Sequence, residues 1–241
     1  MGYDFPFERL YHISEWVKNL LFINILWMIF NLPNLYFIAL LYIAADFNGF
    51  ISIFIIIICL LPFTFFPATT AIFAVIRDLV IKNSQKGSII RFFWKYYRKN
   101  YFLSLLYGIA ITFVWVIFVV DYYFFTTHIS SLFSYVFFIL LFFLFVFTLN
   151  AFSVIVHFKS TFFQGLKNAL LITIGSPFLT IGIGILNVLL IYVSFNYLTF
   201  LIPLFTVSAA ALISFAGIYQ LFLKIELRQF EQENKEQMLV H

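Results

Sequence analysis

The sequence predicts an all-α polytopic membrane protein, with six transmembrane helices and two interfacial loop helices on the cytoplasmic side. Composition is the first ground. The chain of 241 residues is 64% hydrophobic and 10% charged, where a soluble domain has about 25% charged residues, and its mean hydropathy is +1.05. A water-soluble core of this length cannot hide so much apolar surface. Segment length is the second ground, because the apolar stretches reach the ~20 residues that cross a bilayer. Charge placement is the third. Residues 67 to 100, PATTAIFAVIRDLVIKNSQKGSIIRFFWKYYRKN, hold seven of the 14 Lys and Arg: Arg77, Lys82, Lys86, Arg91, Lys95, Arg98 and Lys99. Basic loops are retained on the cytoplasmic side of a membrane, so this loop fixes the topology.

In chain order, residues 1 to 18 read as a short amphipathic entry helix in which Asp4, Glu8 and Glu15 are set against Arg9 and Lys18. Lacking a small-residue cleavage site, this stretch does not read as a removable signal peptide. Span one covers about residues 19 to 45 and is interrupted by Asn31-Leu32-Pro33-Asn34, where proline removes a backbone donor and predicts a kink near residue 31. Span two, about residues 50 to 76, contains Pro62 and Pro67 and continues as ATTAIFAVI to Arg77. Its length exceeds one crossing, which predicts a bent helix whose last turns emerge into the cytosol.

Within residues 88 to 100, Arg91, Lys95 and Arg98 fall at i, i+4 and i+7 while Ile89, Phe93 and Tyr96 recur on another face. This periodicity predicts a helix lying at the interface, its rings among the headgroups and its basic groups towards phosphates or a partner. Spans three and four, about residues 101 to 120 and 131 to 156, are joined by a loop with Asp121 and His128. His157 opens a second cytoplasmic connection, and the basic and apolar pattern beyond it carries Lys167 and Asn168. Span five, about 171 to 195, holds Pro177 beside Gly175, Ser176, Gly182 and Gly184, which permit a bend and close helix contacts. Span six, about 198 to 223, closes a single domain of residues 1 to 223, and a charged tail follows to residue 241. With six spans all 14 Lys and Arg lie inside and the charged outside loops hold Asp46 and Asp121 alone, so both termini are expected in the cytoplasm. The stretch AIFAVIRD before FFWKYYRKN has an echo in AFSVIVHF before FFQGLKN, which raises a duplication of helical hairpins.

The proposed spans contain no Asp, Glu, Lys, Arg or His in their interiors, which argues against proton relays, ion-coupled pumps and voltage sensors. Amides and hydroxyls remain at depth. Asn31, Thr69 and Asn187 are candidates to line a path for a neutral, sugar-like solute, and Thr70 lies beside them; helix-to-helix hydrogen bonding is the favoured alternative. No HExxH, no Gly-x-Ser-x-Gly elbow and no Gly-x-x-x-x-Gly-Lys loop is present, the four histidines are scattered, and Cys59 is a lone cysteine, so neither catalysis, a metal nor a cofactor is expected. The net charge of +4 sits beside membrane ends, which points to anionic lipids and away from nucleic acid. Arg77-Asp78 reads either as a switch or docking pair at the mouth of span two or as a membrane anchor. The stripe of Arg91, Lys95, Arg98 and Lys99 reads as lipid contact or as a docking helix.

At PATTAIFAVIRD, SIIRFFWKYYRKNY and HFKSTFFQGLKNALLITIGSP, and at LWMIFNLPN in span one, the sequence resembles the YesL-like family of bacterial membrane proteins of unknown function. Pro67, Thr69, Thr70, Arg77, Asp78, Lys99 and Asn100 match its motif. The resemblance implies a six-span protein of the bacterial cytoplasmic membrane whose relatives are often encoded beside sugar-binding lipoproteins, ABC-type sugar permeases and polysaccharide-degrading enzymes. The expected function is therefore an accessory membrane subunit of ABC-type oligosaccharide uptake. A stand-alone channel or facilitator for a neutral solute, and a scaffold or signalling protein acting through the tail, are the alternatives.

Overall fold

In hydrocarbon every backbone N–H and C=O must find its partner inside the chain, which leaves helices as the solution for segments this apolar. The computed structural model describes residues 4–44, 46–82, 87–158 and 160–239, and these form helices throughout. Lys86, Lys159 and His241 lie outside the described residues. The order is α1 (Asp4–Phe30), α2 (Leu32–Leu41), α3 (Phe47–Leu60), α4 (Phe65–Lys82), α5 (Ile89–His128), α6 (Phe133–His157), α7 (Phe162–Gly175) and α8 (Pro177–Asn196). A π-helical turn, Ile202–Thr206, then leads into α9 (Val207–Leu239). Among the described residues five helices are long and apolar enough to cross a membrane, and α3 with α4, bent by 43°, is a broken span or a re-entrant loop that brings the number to six if the pair is one span. The protein is an all-α polytopic membrane protein.

The centre of the bundle is α4. Its residues 66 to 76 are buried on every side, with Ala68, Ala71, Ile72, Ala74, Val75 and Ile76 fully so. A helix that is apolar all round has to be enclosed by other helices, and α1, α5, α6 and α9 enclose this one. Small residues set the spacing: a Cβ added at Gly108 of α5 would lie 2.8 Å from the Pro62 Cα at the head of α4. The outward faces carry the surplus phenylalanine, with Phe102, Phe113, Phe138 and Phe178 all exposed, Phe178 to 92%. Such a surface suits lipid and would be an aggregation liability in water.

The stretch around Arg91, Lys95 and Arg98, expected to lie as its own helix in the interface, is instead the start of α5. Helix α5 has 40 residues, about 60 Å at 1.5 Å per residue, against a hydrocarbon thickness of roughly 30 Å. Nothing between Lys99 and Tyr101 breaks the backbone ladder, and continuing a helix is easier than nucleating another. Its apolar residues Ile89, Phe93 and Tyr96 are buried against the bundle, not laid on lipid. Helix α7 is separated from α8 at Ser176-Pro177. Pro177 cannot donate to the Thr173 carbonyl four residues back, and the Thr180 hydroxyl donates to that carbonyl at 2.9 Å in its stead.

The π-helical turn is held by one side chain. Asn24, fully buried in α1, donates from Nδ2 to the carbonyls of Ile202 (3.2 Å) and Pro203 (2.7 Å), while its Oδ1 accepts from the amides of Val207 (3.0 Å) and Ser208 (3.1 Å). One amide thus supplies both donor and acceptor to backbone that the break has freed. Leaving a buried group unpaired costs about 1–3 kcal/mol, so Asn24→Leu is expected to lower stability by about that amount in a detergent-unfolding titration. Asn196→Leu, at an exposed amide that bonds to Tyr192 within its own helix, is expected to shift the midpoint by less than about 0.5 kcal/mol.

Candidate functional site

Two charged residues sit where α4 leaves the bundle at its basic end. Asp78 is 3% exposed, and the Arg77 side chain is 24% exposed. Neighbours in sequence do not normally face each other on a helix, yet here Arg77 folds back: its Nε and Nη2 donate to Asp78 Oδ1 at 2.9 and 2.6 Å. The remaining Nη1 donates to the carbonyl of Val156, at the end of α6. The Tyr96 hydroxyl, from α5, donates to Asp78 Oδ2, and the guanidinium lies over the Tyr96 ring at 5.3 Å. The Arg77–Asp78 pair therefore ties three helices together, the carboxylate joining α4 to α5 and the guanidinium reaching α6. Arg77 also supplies the cation that a helix C-terminus favours, since unpaired carbonyls gather there.

The same α5 segment presents two faces. Tyr96 and Phe93 point into the bundle, while Arg91, Lys95, Arg98 and Lys99 are exposed. Arg98 stacks over Trp94 at 4.7 Å, and Trp94 stacks on Tyr97 at 5.9 Å, so the basic stripe stands on an ordered aromatic row. Asn100 is half-buried and its carbonyl accepts from Ser104 at 2.7 Å.

Beside the junction, a groove of about 380 Å³ runs between the end of α6, α7 and α9, and His157, Asn168, Phe222 and Glu226 line it. The His157 ring stacks on Phe222 at 4.6 Å and meets Phe158 edge-on at 4.9 Å. Its Nδ1 is buried and finds no hydrogen-bond partner among the described residues. Lys167 is exposed on α7. The seat of α7 depends on Gly165. A Cβ there would collide with the Tyr107 hydroxyl and approach its ring carbon to 3.1 Å, and that hydroxyl donates to the Phe162 carbonyl at 3.2 Å.

The two echoing stretches lie side by side. Phe73 stacks on Phe152 at 5.3 Å, and the Arg77 that ends one reaches the carbonyl next to His157, which ends the other. The structure thus brings together Arg77, Asp78 and the helix bearing Arg91, Lys95, Arg98 and Lys99, and separately His157 with Asn168. It does not bring Asn31, Thr69 and Asn187 to one path. Asn31 donates to the Trp27 carbonyl at 2.9 Å and accepts from Asn34, which donates to Thr64 at 2.6 Å and so links the Pro33 break to the break after Pro62. Thr69 and Thr70 donate back to the carbonyls of Phe65 and Phe66 around Pro67. Asn187 donates to Ile183 and to Ser214, joining α8 to α9. Among the described residues no group of three His, Cys, Asp or Glu is placed to hold a metal.

Residues 20–122 match a family described as a protein of unknown function, DUF624. The uncharacterized protein YteU of Bacillus subtilis (strain 168) is 26% identical over 244 residues, which covers 98% of this chain and 95% of the relative. No solved structure matches. The family match contains Arg77, Asp78, Tyr96 and the basic stripe, and ends before α6.

Sequence reasoning missed Tyr96 as the donor to Asp78, the Val156 carbonyl as the acceptor for Arg77, and Phe222 and Glu226 beside His157. The signal for Tyr96 was present, because a hydroxyl on an otherwise apolar face asks for a partner. Removing one member of a buried ion pair costs about 3–5 kcal/mol, whereas replacing both with apolar residues is often neutral. Asp78→Ala is therefore expected to lose roughly 3 kcal/mol, and Arg77→Met with Asp78→Leu to lose clearly less, both read by detergent unfolding. For α7, Gly165→Ala is expected to lower the melting temperature, and adding Tyr107→Phe, which removes the colliding oxygen, to recover most of the loss.

Proposed function

We propose that the chain is an accessory subunit of bacterial ABC-type oligosaccharide uptake, a multi-pass protein of the cytoplasmic membrane that docks a permease or ATPase subunit on its cytoplasmic face and itself carries no solute. The observation that carries this reading is the exposed basic stripe of Arg91, Lys95, Arg98 and Lys99 on a helix whose other face is locked by Tyr96 to Asp78. A stripe held this rigidly loses little conformational freedom on binding an acidic surface. Lipid phosphates contribute about 1 kcal/mol per basic residue at the same place, so the helix is set at the membrane surface before any partner arrives. Asn24, Asn31, Thr69, Thr70, Thr180 and Asn187 bond at helix breaks and helix contacts, which supports an adaptor over a conduit. The carbohydrate assignment rests on the resemblance to the YesL-like family and on the genes that accompany its members.

A pull-down of tagged protein in mild detergent, from its own cells grown on complex glycans and read by mass spectrometry, is expected to recover permease and ATPase subunits. Changing Arg91, Lys95 and Arg98 together to Glu is expected to release them while the protein remains folded in the membrane. Recovery of the protein without any transporter component sinks the proposal.

A further inference from the structure

At mid-bundle, α4, α5, α6, α8 and α9 surround a cavity of about 400 Å³, within the ~300–1,000 Å³ usual for small-ligand sites. It forms where two helices are broken. Phe65 and Leu61 line it from the break between α3 and α4, and Thr206 and Val207 from the end of the π-helical turn. Ala210 and Ala211 of α9 withhold the side-chain volume that would fill it. The wall offers almost nothing to a polar guest. Thr69 donates to the Phe65 carbonyl and accepts from Trp27, Thr148 donates to the Leu144 carbonyl and accepts from Trp115, and Thr206 donates to Ser194; the Thr112 hydroxyl, buried and without a partner among the described residues, is the exception.

We infer that this cavity is a binding site for one hydrocarbon chain drawn from the surrounding bilayer. Water or a sugar entering it would forfeit its hydrogen bonds. A void would forfeit dispersion contacts along the whole wall. An acyl chain gives up no hydrogen bonds on leaving the lipid, and it exchanges contacts with other chains for those that Ala210 and Ala211 leave unmade. The chemistry is the same whether the chain belongs to a phospholipid or to a single-chain amphiphile such as a fatty acid. This inference stands apart from the docking proposal, which concerns the first turns of α5 and not its middle.

Trp115 on the cavity wall is the reporter. Full-length protein is placed in nanodiscs of phosphatidylcholine with plain or brominated acyl chains, and the emission of Trp115 is taken as the difference between wild type and Trp115→Phe. Brominated chains are expected to quench most of that emission, and Ala211→Phe, which fills the cavity, to restore it; Ala210→Phe is the second filling variant should the first fail to fold. Native mass spectrometry of the wild type then shows a retained mass, a phospholipid or a fatty acid, that the filled variant lacks. Quenching that persists unchanged in the filled variants places the chains on the outer surface of the bundle and overturns the inference. So does equal emission in plain and brominated nanodiscs.

Discussion

Enclosure of α4 on all sides is the constraint on which the rest of the structure depends. A helix buried around its whole circumference needs neighbours on every flank, and in lipid no hydrophobic force drives those neighbours together. Contact has to come from shape. Ala68, Ala71 and Ala74 on α4 and Gly108 on α5 allow backbones to approach, while Phe66, Phe73 and Phe152 fill the space that remains. Once α4 is placed, its Arg77 and Asp78 arrive at the basic end already enclosed, and Tyr96 and the end of α6 must meet them.

Polar side chains inside the bundle serve mainly as repairs. Each break in a spanning helix frees backbone groups that lipid cannot satisfy, and a nearby amide or hydroxyl takes them up. Asn24 does this for the π-helical turn, Thr180 for the Thr173 carbonyl before Pro177, and Asn34 binds Thr64 beside the bend after Pro62. Asn150, donating to Thr173 at 2.8 Å, joins α6 to α7. This distribution explains why amides spaced along the sequence do not assemble a hydrophilic path. The cavity at mid-bundle is instead walled mainly by aromatic and aliphatic groups, with the hydroxyls of Thr69 and Thr148 already engaged.

Charged side chains with cross-helix contacts gather at the basic end. There the Arg77–Asp78 pair links α4 to α5 and α6, and the fixed α5 holds its basic stripe away from the core. The groove of His157 and Asn168 opens next to that junction, between helices that Gly165 allows to close. Rigid support and outward charge in one place suit recognition of an acidic surface.

The sequence by itself determined the class. Apolar segments of bilayer length leave helices as the solution, because unpaired backbone is too costly in hydrocarbon, and the crowding of Lys and Arg into residues 77 to 99 marks the basic end. Proline marked the breaks at Pro33, Pro62 and Pro177, since a missing N–H is a local property. Tertiary structure alone decided which groups repair those breaks and which helices meet. Asn24 and Pro203 are 179 residues apart in sequence, and no periodicity within either segment links them. The continuity of α5 was also hidden. A basic aromatic stretch beside a span has the same pattern whether it bends into the membrane plane or continues straight. The choice falls to what Ile89, Phe93 and Tyr96 find to pack against, and here they find the bundle, with Asp78 waiting in it.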